Sequence, residues 1–251
     1  MPRPFEQALG EAAPAALIAK AAALEAAHGD KPTDRLLEAA LADKVAGEVA
    51  IVSSFGAESA VLLHLAASID RAVPVIFIDT RRLFAETLAY RETLIARLGL
   101  TDVRAVGPTA ADEERRDPRG ALFAIDPDQC CHFRKVEPLA RALTPFAAWI
   151  TGRKRHQAAT RAAIPAFEAD AAHIKINPLA AWTAQQIASY AQAHDLPAHP
   201  LVAQGYPSIG CMPCTTPVAV GEDARAGRWR DQDKTECGIH LVDGAVARRG
   251  H

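Results

Sequence analysis

Five cysteines carry most of the chemistry legible in this sequence: Cys130, Cys131, Cys211, Cys214 and Cys237. Cys211 and Cys214 form a Cys-x-x-Cys pair, the spacing of half a metal or cluster site. With the adjacent Cys130 and Cys131 they make four thiols in two groups. Structural zinc usually takes two Cys-x-x-Cys knuckles, and adjacent side chains diverge, so Cys130 and Cys131 suit a single ion poorly. A 4Fe–4S cubane presents four separate irons, one for each thiolate, and spacing favours it over zinc. Four buried cysteines without a ligand are the plain alternative. Cys237, in Glu-Cys-Gly-Ile-His, has no partner left and reads as a reactive thiol, although a lone cysteine near a C-terminus is often incidental. Positive neighbours lower a thiol pKa from about 8.5, and Arg225, Arg228, Lys234 and His240 lie nearby in the chain.

These residues need a scaffold. Val49-Ala-Ile-Val52 reads as a buried strand. It runs into Ser53-Ser54-Phe55-Gly56-Ala-Glu-Ser59 and then a helical pattern through Leu62, Leu63 and Leu65. Strand, small polar loop and helix N-terminus make an anion cradle, or a plain strand-to-helix turn. No Gly-Lys-Ser/Thr follows, so this is not a Walker A loop. Val75–Ile78 is a second buried strand, and it ends at Asp79 and Thr80, where open parallel sheets bind ligands. A helix over 84–98 is closed by Gly99, and Val103–Val106 reads as a third strand. Residues 108–127 read as loop with a short helix near 111–116. Cys130 and Cys131 then open a helix over 136–143. A strand over 147–151 ends in Gly152-Arg-Lys-Arg-His-Gln157, with Arg161 close behind: either four cations for a polyanion or a solvated charged loop. Ile174–Ile176 is a short strand, and Thr183-Ala-Gln-Gln186 is a capping box for a helix through His194.

Strands alternating with helices imply an α/β chain with a mostly parallel sheet and helices on both faces. Three parts are expected: an N-terminal helical extension over 1–46 with Thr33 capping its second helix, an α/β core over 47–204, and an irregular C-terminal segment over 205–251. At 251 residues, 49% apolar and 23% charged, the composition is that of a globular chain. Its net charge of −2 provides no global field for nucleic acid. The Ala-rich start is broken by Glu11, Lys20 and Glu25, so it is no membrane span, which needs about 20 apolar residues. No signal peptide is evident. The expectation is a cytoplasmic protein with no nucleic-acid or membrane partner and possible homo-oligomerisation through the N-terminal helices. An odd cysteine count in a reducing compartment favours cluster or thiol chemistry over disulfides.

Taken together, the Ser-Ser-Phe-Gly loop, the Cys-Cys plus Cys-x-x-Cys set and the Glu-Cys-Gly-Ile-His motif resemble the assimilatory sulfonucleotide reductases over about residues 48–241. The four paired cysteines resemble the branch that carries a 4Fe–4S cluster and reduces adenosine 5′-phosphosulfate (APS) with thioredoxin. The resemblance implies a PP-loop adenine-nucleotide hydrolase-like fold. It assigns Ser53, Ser54, Phe55, Gly56, Asp79, Thr80 and Gly152 to the nucleotide, and Arg161, Arg225 and Arg228 to the phosphosulfate. Lys135 falls between cluster and substrate, Cys237 is the nucleophile, and His240 stands beside it. Two positions depart from the family pattern. Arg81 stands where Gly often follows Asp-Thr, and Ala158 where Ser often follows Gln157.

The implied reaction passes through an S-sulfonated Cys237 that thioredoxin reduces, under a mobile C-terminal lid. Activity on the 3′-phosphorylated substrate (PAPS) stays open, because Arg81 or the Arg153-Lys154-Arg155 run could provide a pocket for the extra phosphate. One rival is another PP-loop enzyme acting on ATP, although Phe55, Ala57 and Glu58 break the Ser-Gly-Gly-x-Asp-Ser loop such enzymes use. The other rival is a non-catalytic zinc or nucleic-acid-binding protein, against which the charge and the 6% aromatic content argue.

Overall fold

The computed structural model describes residues 13–170, 172–230, 232, 234 and 236–239. Two helices lead, α1 (Ala15–His28) and α2 (Thr33–Leu41). Thr33 does not cap α2: the N-cap is Pro32. The Thr33 hydroxyl instead donates to Pro178 O and accepts from Trp182 Nε1, tying the helix to the core.

The sheet is built from β1 (Val49–Ser53), β2 (Val75–Ile78), β3 (Val103–Val106), β4 (Ala148–Ile150), β5 (Phe167–Asp170) and β6 (His173–Ile176). Their order is β3-β2-β1-β4-β6-β5. All pairings are parallel except β5 with β6. The antiparallel edge strand β5, Phe-Glu-Ala-Asp, shows little apolar pattern in sequence because only its first residue is buried.

Alternation along the strands builds a core on each face, as strand geometry requires. Val49, Ile51, Val75, Phe77, Ala148 and Ile150 point to one face. There they meet α2, α3 (Ser59–Ala67), α4 (Ala85–Leu98) and α9 (Ala184–Ala193). Ala50, Ile76, Ile78 and Trp149 point to the other face, against Leu139 and Leu143 of α8 (Glu137–Leu143). The caps follow the sequence: Gly99 closes α4 in the left-handed conformation (φ 66°), and Thr183 with Gln186 forms the capping box of α9.

Between β3 and β4 come α5 (Ala110–Arg116), α6 (Leu122–Ile125) and α7 (Pro127–Cys131). Cys130 and Cys131 close a short helix capped by Asp126, rather than opening one. Residues His132–Val136 form a π-helical turn before α8. Such turns re-aim side chains and recur at functional sites.

Strand order reverses direction at β1: the chain runs out to β2 and β3, then returns to β4 on the other side. The crevice beyond the C-terminal ends of β1 and β4 is where an open α/β sheet holds its ligand.

Candidate active site

A cavity of about 260 Å³ opens at that crevice. Its walls come from the loop after β1, Thr80 after β2, the loop after β4, and the C-terminal segment. Ser53, Ser54 and Gly56 line it, with Ser54 exposed. Phe55 is fully buried against Phe77 and holds a positive φ of 48°. The Phe55 N–H donates to Ser53 Oγ at 3.2 Å. A buried aromatic in the left-handed region is strained, and here it turns the loop so that its neighbours face the cavity. Asp79 is not among the lining residues: its carboxylate accepts from the Arg81 N–H at 2.8 Å and shapes the turn.

The basic loop after β4 does not present four cations to a ligand. Arg153 lines the cavity but its guanidinium is engaged by Asn177 Oδ1 and Glu168. Arg155 is exposed and donates to Ile164 O at 3.0 Å. Lys154 is buried and pairs with Glu58 Oε2 at 2.7 Å. Glu58 also accepts from Gln157 Nε2 at 2.8 Å, joining the loops after β1 and β4. Arg161 does reach the cavity. Its Nε and Nη2 donate to Glu236 Oε1 at 2.9 and 2.7 Å, and its Nη1 to Gln157 Oε1 at 2.8 Å. Arg225 approaches the other oxygen of Glu236 at 3.4 Å. Burial lowers the Arg225 pKa, and Glu236 opposes that shift. Glu236 was missed from sequence, although it sits beside Cys237 in the motif. Glu58 was read there only as a break in a pattern.

Arg81 lies outside the cavity lining and pairs with Glu113 at 2.9 Å. Its φ of 56° explains why glycine suits that position. Arg81 is therefore no part of this cavity's wall.

Cys237 lines the cavity together with Lys135, Arg225 and Arg228. Lys234 turns elsewhere, to Asp128 and Pro127 O. His240 lies outside the described residues. Gly210 lies against the Arg228 guanidinium, which a Cβ at that position would displace.

On the far side of Lys135, Cys130, Cys131, Cys211 and Cys214 surround a second, smaller gap. Cys211 caps and Cys214 ends a 3-10 turn, Met212–Cys214, with the Cys214 N–H donating to Cys211 O at 3.0 Å. Met212 N–H donates to Arg82 O at 2.7 Å, so this turn is pinned to the stretch after β2. Thr80 Oγ1 lies 3.2 Å from Cys211 Sγ. Burial pushes Cys130 up to about 12 and Cys214 up to about 11. At Cys211 burial works against the thiolate, but Lys135 and Thr80 outweigh it and the pKa falls. Burial likewise opposes charge on Lys135, yet Cys211, Cys131 and Cys237 hold its pKa above the ordinary lysine value.

The four thiols around this gap are the donor type that a thiolate-bound metal group takes. Its other walls are Phe123, Pro127, Pro213 and Trp229, with Arg134 and Lys135 supplying positive charge. Arg134 Nε and Trp229 Nε1 are buried donors without a hydrogen-bond partner, and sulfur acceptors inside the gap would satisfy them. Zinc needs every donor at about 2.3 Å from one point. A cubane instead takes one thiolate on each of four separate irons.

Residues 48–217 match the family described as "Phosphoadenosine phosphosulfate reductase domain". The chain belongs to this sulfonucleotide reductase family. A curated Mesorhizobium japonicum relative named adenosine 5′-phosphosulfate reductase is 54% identical over 96% of this chain and 94% of its own. That places the reductase in the APS branch of the family. The crystal structure of a phosphoadenylyl-sulfate reductase from Candida auris superposes with a TM-score of 0.66 at 26% identity, covering 78% of this chain and 96% of that one. A Candida glabrata FMN adenylyltransferase shares the fold alone, with a TM-score of 0.54 at 17% identity, over 97% of this chain and 82% of that one. The reductase thus has the mostly parallel α/β sheet its strand pattern implies, in the PP-loop fold the family resemblance implies. Among the described residues no helix is long and apolar enough to cross a membrane.

Proposed function

We propose that the protein reduces adenosine 5′-phosphosulfate to sulfite and AMP, with thioredoxin as reductant and a 4Fe–4S cluster on Cys130, Cys131, Cys211 and Cys214. The observation that carries this is one cavity that brings together the nucleotide-type loop, a set of cations and a cysteine, among them Ser53, Gly56, Lys135, Arg161, Arg225, Arg228 and Cys237.

The adenylate sits along the loops after β1 and β4, with its phosphosulfate toward Lys135, Arg225 and Arg228. Arg161 stands behind them, already bound to Glu236. The cations offset one charge on phosphate and one on sulfate, which would otherwise repel an attacking thiolate. The Cys237 thiolate attacks the sulfate sulfur, forming an S–S bond. The bond from that sulfur to the phosphate oxygen breaks, and AMP leaves with the electron pair. This is nucleophilic catalysis through an S-sulfonated enzyme. A thioredoxin thiolate then attacks Cys237 Sγ and sulfite departs. The second thioredoxin thiol resolves the mixed disulfide, so the two electrons come from thioredoxin. Cys130, Cys131, Cys211 and Cys214 would hold the cluster, which would add fixed charge to the side of the site that Lys135 faces. Cys237 must meet substrate within and a protein thiol without, which calls for motion of the C-terminal segment.

Two observations favour APS over its 3′-phosphorylated form. Of the sequence candidates for a second phosphate, Arg81 lies outside the cavity lining and pairs with Glu113, while Arg153, Lys154 and Arg155 are engaged with Asn177 and Glu168, with Glu58, and with Ile164 O. The test is sulfite release by anaerobically purified protein from APS and from PAPS, with thioredoxin, beside its visible spectrum. APS-preferring turnover by brown protein, and a sulfonated Cys237 peptide by mass spectrometry, are expected. A turning-over Cys237→Ser variant refutes the nucleophile, and a colourless, zinc-containing protein refutes the cluster.

A further inference from the structure

Cys237 lines the cavity, and one buried carboxylate next to that cysteine grips the cavity wall. We infer that Glu236 is a positioning residue: a latch that holds Cys237 at the cavity through Arg161 and Arg225. The inference rests on the reading of Cys237 as nucleophile.

Three observations carry it. The Glu236 side chain is only 4% exposed, yet it belongs to a C-terminal segment with no regular helix or strand among its described residues. Its two oxygens are divided between arginines from different parts of the chain: Oε1 takes two donors from Arg161, and Oε2 faces Arg225. Such charge-assisted contacts are stronger and more directional than neutral ones. Finally, the contact continues inward. Arg161 holds Gln157, Gln157 holds Glu58, and Glu58 holds Lys154. The latch is therefore connected to the loop that cradles the nucleotide. One peptide unit separates Glu236 from Cys237, so fixing the carboxylate fixes the thiol to within a side chain's reach.

Glu236 also neutralises part of the Arg161–Arg225 pair, so its role is not to bind anions. Its loss frees positive charge in the cavity while releasing the thiol. This separates a latch from a ligand-binding residue: affinity and rate should move in different directions.

The test compares holoenzyme with Glu236→Gln, which keeps shape but loses charge, and Glu236→Asp, which keeps charge but shortens reach. Cys237 alkylation by iodoacetamide, followed by peptide mass mapping, should be about tenfold faster in Glu236→Gln, in line with loss of one charge-assisted contact. AMP affinity by calorimetry should be unchanged or tighter. In sulfite release kcat should fall about 10²-fold, the cost of a misplaced reacting group, with KM little changed. Glu236→Asp should recover part of both alkylation protection and kcat. Melting temperature and cluster absorbance of each variant are compared with wild type, and equal values assign the effects to the latch. Unchanged alkylation overturns the inference. So does weaker AMP binding with unchanged kcat, which would make Glu236 a nucleotide contact. If wild type released no sulfite, the substrate reading would fail, while the alkylation and AMP results would still judge the latch.

Discussion

Glu58→Gln tests whether the cavity is held open by a cross-loop ion pair. Glu58 follows β1, Lys154 and Gln157 follow β4, and both donate to the same carboxylate oxygen at 2.7 and 2.8 Å. The Lys154 side chain is 2% exposed, and its only other described partner is Gly152 O at 3.0 Å. Removing one partner of a fully buried pair costs about 3–5 kcal/mol, because a charge is stranded. Glu58, however, is 31% exposed, so water screens part of the interaction and the expected loss is about 1–2 kcal/mol. For a chain of this size that lowers the melting temperature by about 2–8 °C. The two loops line the nucleotide cavity, so AMP affinity should weaken up to about tenfold. Calorimetric unfolding and AMP titration read the two effects. In a double-mutant cycle, Glu58→Gln combined with Lys154→Met should cost less than the sum of the single changes, since the stranded ammonium is then gone. Additive losses together with an unchanged AMP affinity would refute the idea that this pair organises the cavity.

Three further outcomes are expected. Arg81→Gly should leave stability within about 1 kcal/mol by urea unfolding, because relief of a left-handed arginine offsets a half-exposed ion pair; the ratio of APS to PAPS turnover should not change, and a shifted ratio would restore Arg81 as a phosphate contact. Burial lowers the Lys175 pKa from 10.5 to about 8 despite Asp170 nearby. The unfolded chain then holds that proton across the window in which the native protein has released it, so stability rises with pH from about 8 to 10.5. Wild type should gain on the order of 2 kcal/mol relative to Lys175→Met between pH 7.5 and 10, and parallel curves in urea unfolding would contradict this. Cys211→Ser should lose bound iron and visible absorbance on gel filtration; retention of both would remove Cys211 from the ligand set.

Much of the scaffold was legible because it depends on neighbours in the chain. The apolar runs at 49–52, 75–78 and 103–106 became strands, Gly99 and the Thr183–Gln186 box became caps, and the loop after β1 faces the cavity. The short edge strand Phe167–Asp170 stayed hidden, since it gains its place from pairing with His173–Ile176 and not from its own pattern. The π-helical turn after Cys131 was equally invisible, as no local residue signals an extra residue per turn.

The sequence by itself determined which chemical groups are present and how closely they are tethered: two cysteine pairs, one lone cysteine in its motif, a polar loop after a buried strand, and enough arginines for an anion. It did not decide which charges meet. Arg153 and Arg161 look alike in a basic run, yet one faces Asn177 and the other Glu236. Lys154 finds Glu58 across 96 positions, and Arg161 finds Glu236 across 75. Such partners are chosen by the crossing of strands and the closure of the C-terminal segment. A buried charge is stable only beside its counter-charge, and only the tertiary fold brings the two together.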